Sequence, residues 1–178
     1  MARKPFDADA ILAAIARGER SCGDFEMRID PNGAWYYRGS PIQRPALVKL
    51  FASVLRRGPD GGYWLVTPVE QGRVEVEDVP FVAVELEADG EGKGRVLHFR
   101  TNLDEWVPLD AEHPLRMERQ ADGTTIPYIR VRDRLDARVA RSVFYHLVEL
   151  AEPAQGGNNG AIGVWSAGRF FELGAVGE

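Results

Sequence analysis

The sequence is poor in the residues that build metal and redox centres: it has one cysteine, Cys22, and three histidines, His98, His113 and His146. One cysteine excludes an internal disulfide, and histidines this scattered leave no zinc-type spacing, so neither a metal nor a cofactor is expected. Long apolar runs are missing too. No stretch approaches the roughly 18 residues that a membrane-spanning helix needs, and no signal-peptide core follows Met1. A cytoplasmic chain with no membrane partner is expected. Positive charge is in deficit, with 22 Lys and Arg against 27 Asp and Glu and a net charge of -5. Duplex nucleic acid, whose binding draws mainly on a basic face, is therefore not an expected partner. What remains, 44% hydrophobic and 28% charged residues, suffices for a globular core.

Periodicity supplies the elements. Ile11, Leu12 and Ile15 fall at helical spacing over 7–16, with Gly18 behind them. From 24 to 30, Phe25, Met27 and Ile29 alternate with Glu26 and Arg28 as in a half-buried strand, and Asn32-Gly33 turns the chain into a return strand at 34–38. Pro45 opens a helix whose buried stripe is Leu47, Val48, Phe51, Val54 and Leu55. Residues 63–69 form a strand apolar on both faces, and 73–77 sets Val74 and Val76 against Glu75 and Glu77. Strands at 81–87 and 96–101 are expected to pair with Leu86 opposite Leu97 and Glu85 facing His98. Further short strands are expected at 106–109, 113–118 and 126–132. Asp133 then caps a helix through 148 whose core stripe is Leu135, Val139, Val143, Phe144, Leu147 and Val148, and 161–173 is a terminal hairpin.

The order of elements repeats. The segments 27–37 and 117–128 each join a strand through an Asn-Gly or Asp-Gly turn to an aromatic strand, and LFASVL at 50–55 matches VFYHLV at 143–148. The fold expected is α+β, built of two related ββαββ units by internal duplication with extra antiparallel strands. The N-terminal unit is 1–78, and the C-terminal unit, with its extra hairpin, is 79–178. A seam between duplicated halves is a favoured place for a ligand cleft.

Few residues carry recognisable chemistry. Lys93 in the Gly90 to Gly94 run lacks the Ser or Thr and the following helix of a phosphate loop. Ser166, in GVWSAG, lacks the nucleophile elbow and reads as structural. Arginines are more suggestive, because guanidinium forks match phosphate and carboxylate oxygens. Arg130 and Arg132 share a strand face with Tyr128, an arrangement that stacks a base while holding its phosphate. Arg134, Arg138 and Arg141 read as a solvated helical stripe. His113, before Pro114 and close to Arg116, is a further candidate contact, and Arg44, Thr67, Glu70, Arg100 and Asn102 fall at strand ends and turns, where polar contact groups gather. The eight acids and one base between Glu70 and Glu91 are expected to neutralise the arginines of the second half.

Several long motifs stand in order: GxWxYxGxPIxRPxLVxLFAxVLRR from Gly33, GYWLVTPVExxRVEVEDxPF from Gly62, LxFxTN, HPLR and PYIxVRxxLxARVxRxVFYxLV. Together they resemble the bacterial family catalogued as domain of unknown function 1285, from Gly33 to Val148. The resemblance implies an α+β protein with a duplicated motif, a C-terminal part like a pleckstrin-homology barrel, and a ligand site between the two parts. It also implies a nucleotide-like ligand and a role in signal transduction, and it carries over no catalytic residue. The function expected is a module that holds a small anionic or nucleotide-like ligand between its halves. Two alternatives stay open, a small-molecule hydrolase using His113 with Glu70 or Asp110 as base, and a protein-interaction domain using exposed strand edges.

Overall fold

Alternation of apolar and polar residues makes strands the main regular element of this chain's described residues. The computed structural model describes Arg17 and residues 23–67, 71–156 and 160–175. The helix expected at 7–16, Cys22 and Glu70 lie outside them. Two compact units divide the chain: Met1–Pro80 with Asp133–Leu135, and Phe81–Arg132 with Asp136–Glu178.

The first unit contains β1 (Gly23–Ile29), β2 (Trp35–Tyr37), β3 (Ser40–Pro41), α1 (Pro45–Ser53), β4 (Leu55–Arg57), β5 (Tyr63–Val66) and β6 (Gln71–Val76). Its six strands form one sheet in the order β3-β2-β1-β6-β5-β4, halved by the parallel pair β1 and β6. Helix α1 begins at Pro45, whose missing N–H has no intrahelical partner to lose. Phe51 of the helix stacks on Trp35, ring centroids 6.2 Å apart, and Val48, Ala52, Leu55, Leu65 and Val74 are buried. The helix ends at Ser53, so Leu55, expected inside it, starts β4 instead and pairs with Leu65. The Ser53 hydroxyl donates back to the Leu50 carbonyl at 2.6 Å, a local bond that competes with the helix ladder at this end.

The second unit contains β7 (Phe81–Asp89), β8 (Val96–Thr101), β9 (Trp106–Pro108), β10 (Leu115–Arg119), β11 (Thr125–Arg132), β12 (Leu135–Val139, all but its first residue in this unit), α2 (Arg141–Glu149), β13 (Glu152–Pro153), β14 (Ala161–Ser166) and β15 (Arg169–Ala175). Read from its other edge, the six-stranded sheet runs β9-β8-β7-β12-β11-β10, again halved by a parallel pair, β7 and β12. A three-stranded sheet, β13-β14-β15, completes the unit. The duplication is therefore present, and what repeats is the six-stranded sheet.

Its alignment differs from the one the sequence suggests. The strands at 27–37 belong to β1 and β2, which correspond by sheet position to β7 and β8, whereas 117–128 lies in β10 and β11. The helices hold different places: α1 falls between the third and fourth strands of its sheet, and α2 follows the sixth. The helix expected from Asp133 is also shorter. Asp133 sits at φ 48° in the turn between β11 and β12, and Leu135, Ala137 and Val139 are buried at a period of two, a strand pattern.

Candidate functional site

The arginines singled out by sequence converge on carboxylates of their own unit. Arg116 and Tyr128 are register partners across β10 and β11, and the guanidinium stands 4.6 Å over the Tyr128 ring, which is buried. Arg116 also pairs with Glu118 and, at 3.3 Å, with Asp136; Arg130 Nε meets the other Asp136 oxygen at 2.5 Å. Partial burial works against the Arg116 charge, but the bonds to Glu118 and Asp136 outweigh it and hold its pKa above the ordinary value. Arg132 lies 3.5 Å from Glu105 and 5.4 Å over the Phe81 ring. Three positive charges thus face three negative ones. Sequence reasoning missed Asp136 because it had been placed on a helix.

The remaining candidates scatter. Arg100 is held by Glu85 at 2.6 Å and Asp104 at 3.0 Å, and the Glu85 hydrogen bond raises its pKa. Asn102 joins strand ends, its N–H donating to the Val82 carbonyl while its side-chain oxygen accepts the Val82 N–H. Arg44 is the exposed residue that precedes α1 and makes no side-chain cap bond. Thr67 lines an apolar pocket beneath α1.

His113 does have a partner. In the 109–114 connection, which stands in the sheet order where the first unit has α1, Asp110 Oδ1 accepts the backbone N–H groups of Glu112 and His113 and lies 2.9 Å from His113 Nδ1. Partial burial pushes the Asp110 carboxyl up, but the His113 and Glu112 hydrogen bonds overcome it and hold the pKa below 3.8. A lowered folded pKa stabilises above the unfolded value and is lost as pH falls through the folded one. The melting-temperature advantage of the native chain over Asp110→Asn should hold from pH 7 to about 5 and shrink below about pH 4. An advantage that instead grew toward acid would contradict this assignment. Among the described residues, no three His, Cys, Asp or Glu side chains gather as a metal site.

A charged cleft in the first unit was not anticipated. It measures about 490 Å³ and is lined by Asp24, Glu26, Arg28, Arg38, Arg73 and Glu75, with Gly39, Gly61 and Gly62. Alternation puts the charges there: across the parallel pair, Asp24 is the register partner of Arg73, and Arg28 of Glu75. Between them β1 bulges. Glu26 takes φ 53° and Arg38 φ 49°, unusual values for residues with side chains, and the two are clamped together. The Arg38 N–H donates to the Glu26 carbonyl at 2.9 Å and its Nε to the Glu26 carboxylate at 2.8 Å. Arg28 pairs with Glu77 at 2.6 Å and lies 4.2 Å over Tyr36. Arg73 lies 5.6 Å over Trp64 and has no carboxylate partner among the described residues. In sequence these charges read as an ordinary solvated face; the bulge that gathers them has no sequence signal.

No helix among the described residues is long and apolar enough to cross a membrane. Family models for the two halves match in tandem: the N-terminal domain of unknown function DUF1285 over 19–79, and the C-terminal domain of the protein of unknown function DUF1285 over 80–173. Among solved structures, a DUF1285 family protein from Silicibacter pomeroyi DSS-3 is 40% identical, with 93% of this chain and 95% of that one covered at a TM-score of 0.79. A DUF1285 family protein from Shewanella baltica OS155 is 28% identical, with 69% of this chain and 90% of that one covered at a TM-score of 0.54. No curated protein matches.

Proposed function

The chain belongs to the DUF1285 family, and we propose that this member is a cytoplasmic ligand-binding module in signal transduction, taking a small anionic ligand of nucleotide size in the charged cleft of its first unit. The observation that carries this reading is Arg73, a guanidinium on an aromatic ring with no carboxylate partner among the described residues, beside Arg28 and Arg38 in a cleft of about 490 Å³. That volume is ordinary for a small-molecule site. Arg28 and Arg38 are oriented by their ion pairs and keep other N–H groups for a ligand oxygen. A cleft lined by arginines already held in ion pairs suits a module that binds an anion and reports occupancy to a protein partner.

Thermal unfolding with AMP and inorganic phosphate as probes tests the reading. A ligand at about 100 times its Kd adds ~2.7 kcal/mol, a rise of roughly 5–10 °C for a chain of this length. Arg73→Ala should abolish the rise. Indifference to Arg73→Ala would remove the site from this cleft, and sensitivity to Arg132→Ala instead would move it to the second unit. A hydrolase acting through His113 is the second reading, favoured by the contact with Asp110. Turnover of phosphate- or acyl-ester probes, lost in His113→Ala, would select it.

A further inference from the structure

Two opposite charges of the charged cleft, Arg73 and Glu75, stand without ion-pair partners among the described residues. Both are exposed on one face of β6, two residues apart, so their Cα atoms are separated by about 6.6 Å. Each has an opposite charge as its register partner on β1, and each of those partners is committed elsewhere. Asp24, across from Arg73, accepts the Glu26 N–H at 2.7 Å through Oδ1. Arg28, across from Glu75, pairs with Glu77 at 2.6 Å and lies against the Tyr36 ring. Asp60, near Gly62 of the cleft wall, spends Oδ1 on the Gly62 N–H at 3.0 Å. Glycine at this position keeps room beside the arginine: a Cβ at Gly62 would stand 3.4 Å from Arg73 Nη2.

We infer that the ligand of this cleft is an anion that also carries a protonated amine, its carboxylate or phosphate on Arg73 and its ammonium on Glu75; this rests on the reading of the cleft as the binding site. A plain anion uses only half of what is exposed here. Placed on Arg73, it sets a negative charge beside Glu75, and the two repel. An ammonium on the same molecule replaces that repulsion with a second charge-assisted hydrogen bond. The pair also fixes direction, since acid and amine cannot exchange places without bringing like charges together. Arg28 and Arg38 remain for a second acid oxygen, which suits a ligand that is anionic overall despite its amine.

Isothermal titration of the full chain with two matched pairs tests this: glutamate against glutarate, which lacks only the amine, and phosphoethanolamine against ethyl phosphate. Inorganic phosphate and AMP serve for comparison. The amine-bearing member of at least one pair should bind about fivefold tighter or more, although it carries less negative charge. Which pair does so tells a carboxylate head from a phosphate head. Glu75→Gln should remove that advantage, and Arg73→Ala should weaken both members. Both positions are exposed, so the substitutions leave the fold intact. Three results would overturn the amine and leave the charged cleft standing: equal or tighter binding of the amine-free member in both pairs, an advantage that survives Glu75→Gln, or phosphate or AMP bound through Arg73 with neither amine-bearing probe bound. Binding of every probe indifferent to Arg73→Ala would overturn both readings, as would no binding by any probe.

Discussion

Asp136→Ala should lower the unfolding free energy by about 2–3 kcal/mol, a drop of roughly 4–12 °C in Tm at this chain length. Asp136 is 5% exposed on β12, and both of its oxygens are engaged by arginines of the neighbouring β11 and β10. Removing one partner of a buried pair costs about 3–5 kcal/mol because the other charge is stranded. Here the stranded groups are partly wet, Arg130 at 34% and Arg116 at 47% side-chain exposure, so the cost falls below that range. Asp136→Asn, which keeps a carbonyl acceptor, should lose about half as much. Urea unfolding of the three proteins measures this, and a loss under about 0.5 kcal/mol in Asp136→Ala would mean that water replaces the carboxylate freely.

The same residue shows where sequence reading stops. Leu135, Ala137 and Val139 alternate with Asp136 and Arg138, but they also fit the edge of a helical stripe that continues into Val143 and Leu147. Alanine at the centre is too small to decide between the two periods. Pairing does decide: Ala137 is the register partner of Phe81 in a parallel ladder, a contact made 56 residues away in sequence. Once Asp136 is read as helical, its two arginines lose their counterion and look available to a ligand.

Register tells a milder version. The sequence suggests Leu86 opposite Leu97, whereas the strands pair Leu86 with Phe99 and Ala88 with Leu97, with an irregularity between Ala83 and Glu85. The slip is two residues, and an even slip leaves every side chain on its own face. The buried residues Leu86, Leu97 and Phe99 are thus legible while the partners are not, and Glu85 meets Arg100 in place of His98. The charged cleft was hidden by a different cause. Alternation alone gives Arg28, Arg73 and Glu75 as outward residues, but their gathering depends on Glu26 adopting a positive φ, a conformation that glutamate does not advertise.

Ser166→Ala should cost about 2–3 kcal/mol, although it removes a single oxygen. Ser166 is fully buried at the end of β14. Its hydroxyl donates to the Leu109 carbonyl at 2.6 Å and accepts the Leu97 N–H at 2.9 Å, so one side chain ties the three-stranded sheet of the second unit to the end of β9 and the start of β8. Alanine leaves the donor and the acceptor buried without this bridge, and each unmet group costs about 1–3 kcal/mol before relaxation. The Leu109 N–H still donates to the Leu97 carbonyl at 2.7 Å, which keeps the two segments together and limits the damage. Amide exchange separates the causes. Faster exchange at Leu97 with the rest of β8 unchanged is expected if the lost bridge acts locally, whereas uniform acceleration along β8 would mean that the serine holds the sheets together as a unit. The same burial makes this serine inaccessible as a nucleophile in the folded chain, so a serine-reactive fluorophosphonate should leave it unmodified until the second unit opens.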